Sequence, residues 1–276
     1  MKLKRIFAAV LAAAMLLSFA GCANKDTQGD SSEPAGEQTT EERTTEPQTN
    51  EDGSLVKPKN AVSVSDDVKI KTYSGTSLIE IGNRVMEPYG NAYKNMKNYA
   101  DALNRLKAEM PDTKAYCLMA PTAIEFYAPS KYNTGVSKSQ YEGMCYIYEQ
   151  LKDITPVNAY AEMAAHTDEY LYFRSDHHWT TLGAYYAYRT FAKVAEFTPV
   201  DKNTLQTGKL SPFLGLFYKD TKSTALSNDP DYVEYFIPPV NTTAIASDTD
   251  AAMSNSYSIK VINTETTSVS YPHLRA

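Results

Sequence analysis

Between Ser77 and Glu196, short apolar runs alternate with segments of helical period, and that alternation restricts the chain to one class of architecture. Ser77-Leu78-Ile79-Glu80-Ile81-Gly82 reads as a strand. After a Pro-Tyr-Gly turn, Tyr93, Met96, Ala100, Leu103, Leu106 and Met110 recur on one helix face, and Pro111 stops the helix. Lys114 to Ala120 is an apolar run suited to a buried strand. It ends on Pro121 and a loop with Thr122, Glu125 and Tyr127, which completes a strand-helix-strand unit. Ser137-Lys138-Ser139-Gln140 has the form of a capping box opening a second helix, with Tyr141, Met144, Cys145, Tyr148 and Leu151 on one face. A strand from Pro156 to Tyr160, a short helix from Ala161 to His166, a strand from Tyr170 to Phe173 and a helix from Thr180 to about Glu196 follow. The pattern predicts an α/β fold of three layers, a mostly parallel sheet with helices on both faces. From Thr198 to Tyr257 the sequence turns aromatic-, Pro- and Asn-rich with short strands such as Tyr232 to Ile237, and we read it as a substrate-facing excursion. Ser258 to Ile262 then reads as an edge strand.

The folded region has a different kind of sequence before it. Lys2, Lys4 and Arg5 precede an apolar run from Ile6 to Ala20, too short to span a bilayer comfortably, so residues 1–21 read as a signal peptide. Its end, Ser18-Phe19-Ala20-Gly21-Cys22, resembles a lipobox, which makes Cys22 the expected lipidation site and start of the mature chain. Residues 22–61 hold almost no large apolar side chain and cannot offset the entropy of ordering, so they are expected to be a disordered linker. Nine acidic residues stand against Arg43 alone between residues 26 and 52, which accounts for most of the formal charge of −6 and argues against a nucleic-acid partner. The expected location is the extracytoplasmic face of the cell membrane, held there by lipid. Residues 62–268 are then one domain. Cys117 and Cys145, each in an apolar periodic segment, read as two buried thiols in preference to a disulfide.

The densest chemical signal is Arg174-Ser175-Asp176-His177-His178-Trp179, placed between a strand end and a helix start, where α/β folds put their ligands. An acid two residues before a histidine can hold one imidazole nitrogen and leave the other to act as a base, and Asp176 and His178 have that spacing. His177 would contact substrate or brace the turn, and Trp179 would pack beneath the loop. Acid-base chemistry, metal ligation and a structural polar loop all fit the spacing. Adjacent histidines with no further ligand motif disfavour metal, and no metal or cofactor is expected.

Tyr172-Phe173-Arg174-Ser175-Asp176-His177-His178-Trp179-Thr180-Thr181-Leu182-Gly183-Ala184 resembles the defining motif of the DHHW family of bacterial surface proteins. That family is similar to the SGNH-like domains of alginate and other polysaccharide O-acetyltransferases. Met119-Ala120-Pro121-Thr122 and Ile262-Asn263-Thr264-Glu265-Thr266 resemble further family segments. The resemblance implies an SGNH-like, flavodoxin-like sheet and a Ser-His-Asp site in permuted order, with Asp176 orienting, His178 as base and the serine on a later Asp-Ser turn. Arg174 and the backbone at Pro121 and Thr122 are candidates for an oxyanion hole by position. The implied substrates are acetyl esters of cell-surface or extracellular polysaccharide, with an acetyl-donor protein as a possible partner. The serine turn is missing. Residues 269–276 read as a non-native tail, the domain as incomplete at its C-terminus, and the polypeptide as given is expected to be inactive. The alternative is a non-catalytic surface lipoprotein that binds glycan or a partner through the same cleft.

Overall fold

The computed structural model describes residues 48–49, 55–90, 92–133, 139–239, 244–247 and 256–259. The signal segment, Cys22, Ser137, Lys138 and the tail from residue 269 lie outside the described residues. Among the described residues no helix is long and apolar enough to cross a membrane.

The chain is already folded where a disordered linker was expected. β1 (Gln48–Thr49) pairs antiparallel with β2 (Leu55–Val56), and Leu55 packs against the main core. Lys57 Nζ lies 2.7 Å from Oε1 of the buried Glu125, and Asn60 Nδ2 donates to the Phe126 carbonyl at 3.2 Å. The amides of Ala61 and Val62 donate to Ala164 and to Thr167 Oγ1. Leu55, Val56 and these polar anchors give residues 55–61 enough contact to order, which the composition of the whole acidic segment conceals. The linker boundary at residue 61 is corrected accordingly.

β3 (Ile70–Thr72), β4 (Ile79–Ile81) and β5 (Arg84–Met86) form an antiparallel meander. The expected strand at Ser77–Gly82 is therefore real but turns back on itself. Ile81 pairs with Arg84 around a Gly82-Asn83 turn, and Gly82 has φ 61°, a left-handed conformation in which a Cβ is strained. α1 (Tyr93–Glu109) ends just before Pro111, as its apolar period requires, and buries Met96 and Ala100. β6 (Tyr116–Leu118) follows, then α2 (Ala123–Tyr127) and α3 (Gln140–Glu149). The cap of α3 is Ser139, whose hydroxyl accepts from the Glu142 amide at 3.3 Å, so the box is Ser139 to Glu142 and starts two residues after Ser137.

β7 (Thr155–Val157) lies parallel to β6, with Cys117 opposite Pro156. The parallel strand-helix-strand unit is thus β6 to β7, and parallel pairing among the described residues is confined to it. α4 (Tyr160–Ala164) and α5 (Thr181–Val194) follow. Successive residues of β6 face opposite layers, as a strand requires. The Tyr116 ring meets Phe191 of α5 edge-on at 5.3 Å, and the Cys117 thiol hydrogen-bonds Tyr99 of α1. Helices therefore cover both faces, and the α/β class holds. Cys117 and Cys145 are both free and buried, and burial pushes the Cys145 thiol up to about 11.

The expected excursion is a long antiparallel hairpin, β8 (Gln206–Phe213) against a later strand, with α6 (Leu216–Thr221) and α7 (Thr224–Asn228) carried between them. Its return strand is β9 (Asp231–Ile237). β10 (Ala244–Ser247) and β11 (Ser256–Ile259) form a further antiparallel pair. The largest core cluster gathers Ile124, Phe126, Tyr141, Tyr160, Met163, Leu171 and Tyr172 beneath the Asp176 loop. Each fully buried large side chain there contributes about 1.5–3 kcal/mol against leaving it in water, so the loop sits on a rigid floor.

Candidate active site

The Asp176 loop is a tight reversal, and the expected strand from Tyr170 to Phe173 is reduced to a bridge within it. Tyr172 bridges Trp179 antiparallel, the Phe173 amide donates to the His178 carbonyl at 3.3 Å, and the Thr180 amide donates to Leu171 at 2.8 Å. Tyr170–Phe173 therefore pairs with the loop's own returning arm. Thr180 caps α5, its hydroxyl accepting from the Gly183 amide at 3.3 Å. Gly183 is required by packing: a Cβ there would stand 2.4 Å from the Leu171 carbonyl oxygen and 3.1 Å from Trp179 Cβ. Trp179 packs, half-buried, against the main core.

Asp176 is 3% exposed, and its two oxygens are occupied differently. Oδ1 accepts from His178 Nδ1 at 2.6 Å and from the His178 amide at 3.1 Å. Oδ2 accepts from the Leu216 amide at 2.9 Å. The imidazole of His178 is thereby fixed with Nδ1 toward the carboxylate and Nε2 on the opposite side of the ring, the arrangement of an oriented general base. His177 is exposed, its ring 3.9 Å from that of His178, with Nδ1 3.6 Å from Asp176 Oδ1. One carboxylate oxygen and both rings place three potential ligand atoms within 4.8 Å of one another. Donors sharing a zinc ion at about 2.0–2.2 Å each stand about 3 Å or more apart. The 2.6 Å approach of His178 to Asp176 is a hydrogen bond, and the pair fits the acid-base arrangement better than a ligand set.

A cavity of about 200 Å³ opens beside His177, lined by Met86, Tyr89, Thr122, Ile124, His177 and Phe217 among others. The structure thus brings Thr122 and His177 to one cleft. The Thr122 amide is already engaged, donating to Gln140 Oε1 at 2.9 Å, while its hydroxyl accepts from Gln140 Nε2 at 2.8 Å. Arg174 points elsewhere. Its guanidinium bonds Asp229, Asp231 Oδ1 at 3.0 Å and the Pro230 carbonyl at 3.2 Å. Burial acts to lower the Arg174 pKa, and the bonds and charges of Asp229 and Asp231 outweigh it and raise it. That guanidinium braces the hairpin.

Residues far away in sequence hold the loop. Tyr172 OH donates to the Pro121 carbonyl at 2.6 Å, tying the loop to the end of β6. Arg84 Nη1 donates to the carbonyls of Tyr172 and Phe173 at 3.2 and 2.9 Å, and the Val85 amide donates to Arg174 at 2.9 Å. Gly215 touches Asp176 so closely that a Cβ would stand 2.4 Å from Asp176 Cβ. Asp231 is 1% exposed beneath Arg174 and Ser175. Sequence reading missed Gly215 and Asp231. The signal for each is weak, a glycine between two leucines and an acid opening an apolar strand.

A family model described as DHHW protein matches residues 46–269. The chain belongs to the DHHW family. Among solved structures this DHHW chain is similar to a DHHW family protein from Eubacterium siraeum, with 31% identity over 64% of this chain and 58% of that one and a TM-score of 0.56. It is also similar to Bacillus cereus PatB1 solved with a sulfonyl adduct, with 15% identity over 69% of this chain and 64% of that one and a TM-score of 0.50, a likeness of fold. The O-acetyltransferase domain of Pseudomonas putida AlgJ matches at 14% identity over 62% of this chain and 66% of that one, with a TM-score of 0.41. The chain spans 58% of the Eubacterium siraeum protein's length and 64% of PatB1's. No curated protein matches it.

Proposed function

We propose that this DHHW domain acts on acetyl esters of cell-surface or extracellular polysaccharide, as an O-acetyltransferase or acetylesterase, with His178 as general base and Asp176 orienting it. The observation that carries the reading is the 2.6 Å bond from His178 Nδ1 to an Asp176 carboxylate whose other oxygen is fixed by the Leu216 amide. An imidazole held in this way takes the proton of an attacking hydroxyl on its far nitrogen, and the buried carboxylate stabilises the imidazolium that results. The adjacent cavity offers Thr122 and His177 as polar contacts and Tyr89 and Phe217 as apolar ones.

Ser175 is not the serine such a base would activate. It is 0% exposed, and its hydroxyl is engaged between Asp231 and the Gly215 amide. On this reading the nucleophile belongs to a segment outside the described residues. The reading also places the domain on the outer face of the cell membrane, tethered through lipid on Cys22, with polysaccharide and an acetyl donor as partners and no metal or cofactor in the chemistry.

The test is release of p-nitrophenol from its acetate ester by the full-length protein. The expected result is loss of most of the rate in His178→Ala and a loss of about 10²–10⁴-fold in Asp176→Asn. An unchanged rate in His178→Ala removes His178 from the mechanism. A folded full-length protein with no esterase or transferase activity, yet retaining polysaccharide in a pull-down, would turn the reading to a binding protein.

A further inference from the structure

We propose that Asp231 is a positioning residue for the His178 imidazole, acting through Ser175 and the Gly215-Leu216 turn to hold the Asp176 carboxylate in one rotation. This rests on the reading of Asp176 and His178 as the acid-base pair.

Asp231 accepts from five donors. Oδ1 takes Tyr170 OH at 2.5 Å and Arg174 Nε at 3.0 Å. Oδ2 takes the Arg174 amide at 2.9 Å, the Ser175 amide at 2.7 Å and Ser175 Oγ at 2.5 Å. Only an acceptor can serve all five, which is why the buried group is a carboxylate. An asparagine in its place would face donors with a donor in either orientation of its amide.

The relay continues from Ser175. Its hydroxyl gives its proton to Asp231 and accepts from the Gly215 amide at 2.9 Å, while its carbonyl accepts from the Phe217 amide at 2.9 Å and the Tyr218 amide at 3.3 Å. The turn from Gly215 to Tyr218 is therefore docked on Ser175 from both ends. Leu216 lies inside that docked turn, and its amide holds Asp176 Oδ2 at 2.9 Å. With Oδ2 held, only Oδ1 is presented to His178, at 2.6 Å from Nδ1. A carboxylate free to rotate would present either oxygen and leave the ring without a fixed partner. Asp231, 56 residues from Ser175 in sequence, thus acts on the imidazole through Ser175, the Gly215-Leu216 turn and Asp176 without touching it.

The experiment is a long-range ¹H–¹⁵N spectrum of the full chain labelled at histidine, with the His178 signals assigned by His178→Gln. In the wild type the neutral ring is expected to carry its proton on Nδ1. In Ser175→Ala, which removes the hydroxyl link of the relay and leaves Asp231 its other four donors and the backbone carbonyl its bonds from the Phe217 and Tyr218 amides, the ring should shift toward the Nε2–H form that solvent-exposed histidine prefers. Asp231→Asn should do the same. In the full-length enzyme both should lower kcat by about 10- to 100-fold with KM little changed. Ser175→Ala that keeps its fold by circular dichroism and keeps the wild-type Nδ1–H spectrum overturns the proposal. A wild-type ring protonated on Nε2 overturns both this proposal and the dyad. A tautomer shift in Ser175→Ala, with esterase activity indifferent to His178→Ala, upholds the positioning role and sinks only the catalytic reading.

Discussion

Gly215→Ala isolates the contact on which the site geometry depends most tightly. A methyl group at residue 215 would stand 2.4 Å from Asp176 Cβ, 2.5 Å from Asp176 Oδ2 and 2.8 Å from the Ser175 carbonyl oxygen. Ordinary carbon contacts begin near 3.5 Å, so a displacement of about 1 Å is needed. Little around it can give. Asp176 is 3% exposed, Ser175 is 0% exposed, and the turn is pinned by the Leu216 and Phe217 amides. Overpacking of this kind costs about 1–3 kcal/mol, which for a domain of this size lowers Tm by roughly 2–12 °C. Movement of Asp176 by about 1 Å also removes His178 from its set position, and a misplacement of that size costs about 10²-fold in rate. Differential scanning fluorimetry and p-nitrophenyl acetate hydrolysis by the full-length protein read the two effects separately. Gly183→Ala is the control for stability, since its methyl would meet the Leu171 carbonyl at 2.4 Å and its nearest contacts are with Leu171 and Trp179 and not with Asp176. Gly90→Ala, with nothing within 4 Å, should leave Tm unchanged. A Gly215→Ala protein with wild-type Tm and wild-type rate would show that the turn does not seat Asp176 as described.

Lys57→Ala should cost about 1–2 kcal/mol, less than the 3–5 of a fully buried pair because the Lys57 side chain is 34% exposed. The amides of Ala61 and Val62 should then exchange faster with solvent; unchanged exchange would mean that the Glu125 pair does not fasten the segment. Native protein at pH 8 should leave Cys117 and Cys145 unlabelled by Ellman's reagent, since both are buried and Cys145 is pushed up to about 11; rapid labelling without unfolding refutes their burial. Glu80 predicts an acid limb to stability. Burial alone would raise its pKa, but hydrogen bonds from Ser223 and Tyr73 and the charge of Lys71 outweigh that and hold it below the ordinary carboxylate range. A depressed folded-state pKa contributes stability above the unfolded value, about 4.3, and loses it as pH falls through the folded one. Glu80→Gln should therefore be less stable than wild type at pH 6, with the gap narrowing in urea titrations as pH falls below the ordinary carboxylate range, and a gap that widens in acid refutes the assignment.

What the sequence discloses follows from the range of the interactions. α1, α5 and the Asp176-His178 spacing are written in neighbouring residues, and the structure places them within a residue or two of expectation. The Gly82-Asn83 turn was equally legible, a two-residue hairpin signal between Ile81 and Arg84, yet the strand-helix alternation around it suggested a parallel strand instead. The order of residues 55–61 was hidden because it depends on Glu125, which composition cannot pair with Lys57. Gly215 and Asp231 are harder still. Their reasons lie 40 and 56 residues back in the chain, at Ser175, and only the folded backbone brings them together.

That separation says something about how the site works. On the proposed reading the short motif carries the reacting groups, but His178 is partly open to solvent while the carboxylate behind it is buried and the more distant Ser175 and Asp231 are more buried still. Low dielectric around Asp176 and Asp231 strengthens each bond in the relay and penalises any alternative arrangement. On the proposed reading the imidazole is thus set before substrate arrives, and no closing motion is needed to orient it. The cavity beside it, at about 200 Å³, is smaller than the roughly 300–1,000 Å³ of pockets that enclose a whole small ligand. On the proposed reading it admits the part of a polysaccharide next to the ester and leaves the rest of the polymer in solvent. Selectivity then comes from the few groups at that mouth, Thr122, His177, Tyr89 and Phe217, while the catalytic geometry comes from residues the substrate never reaches.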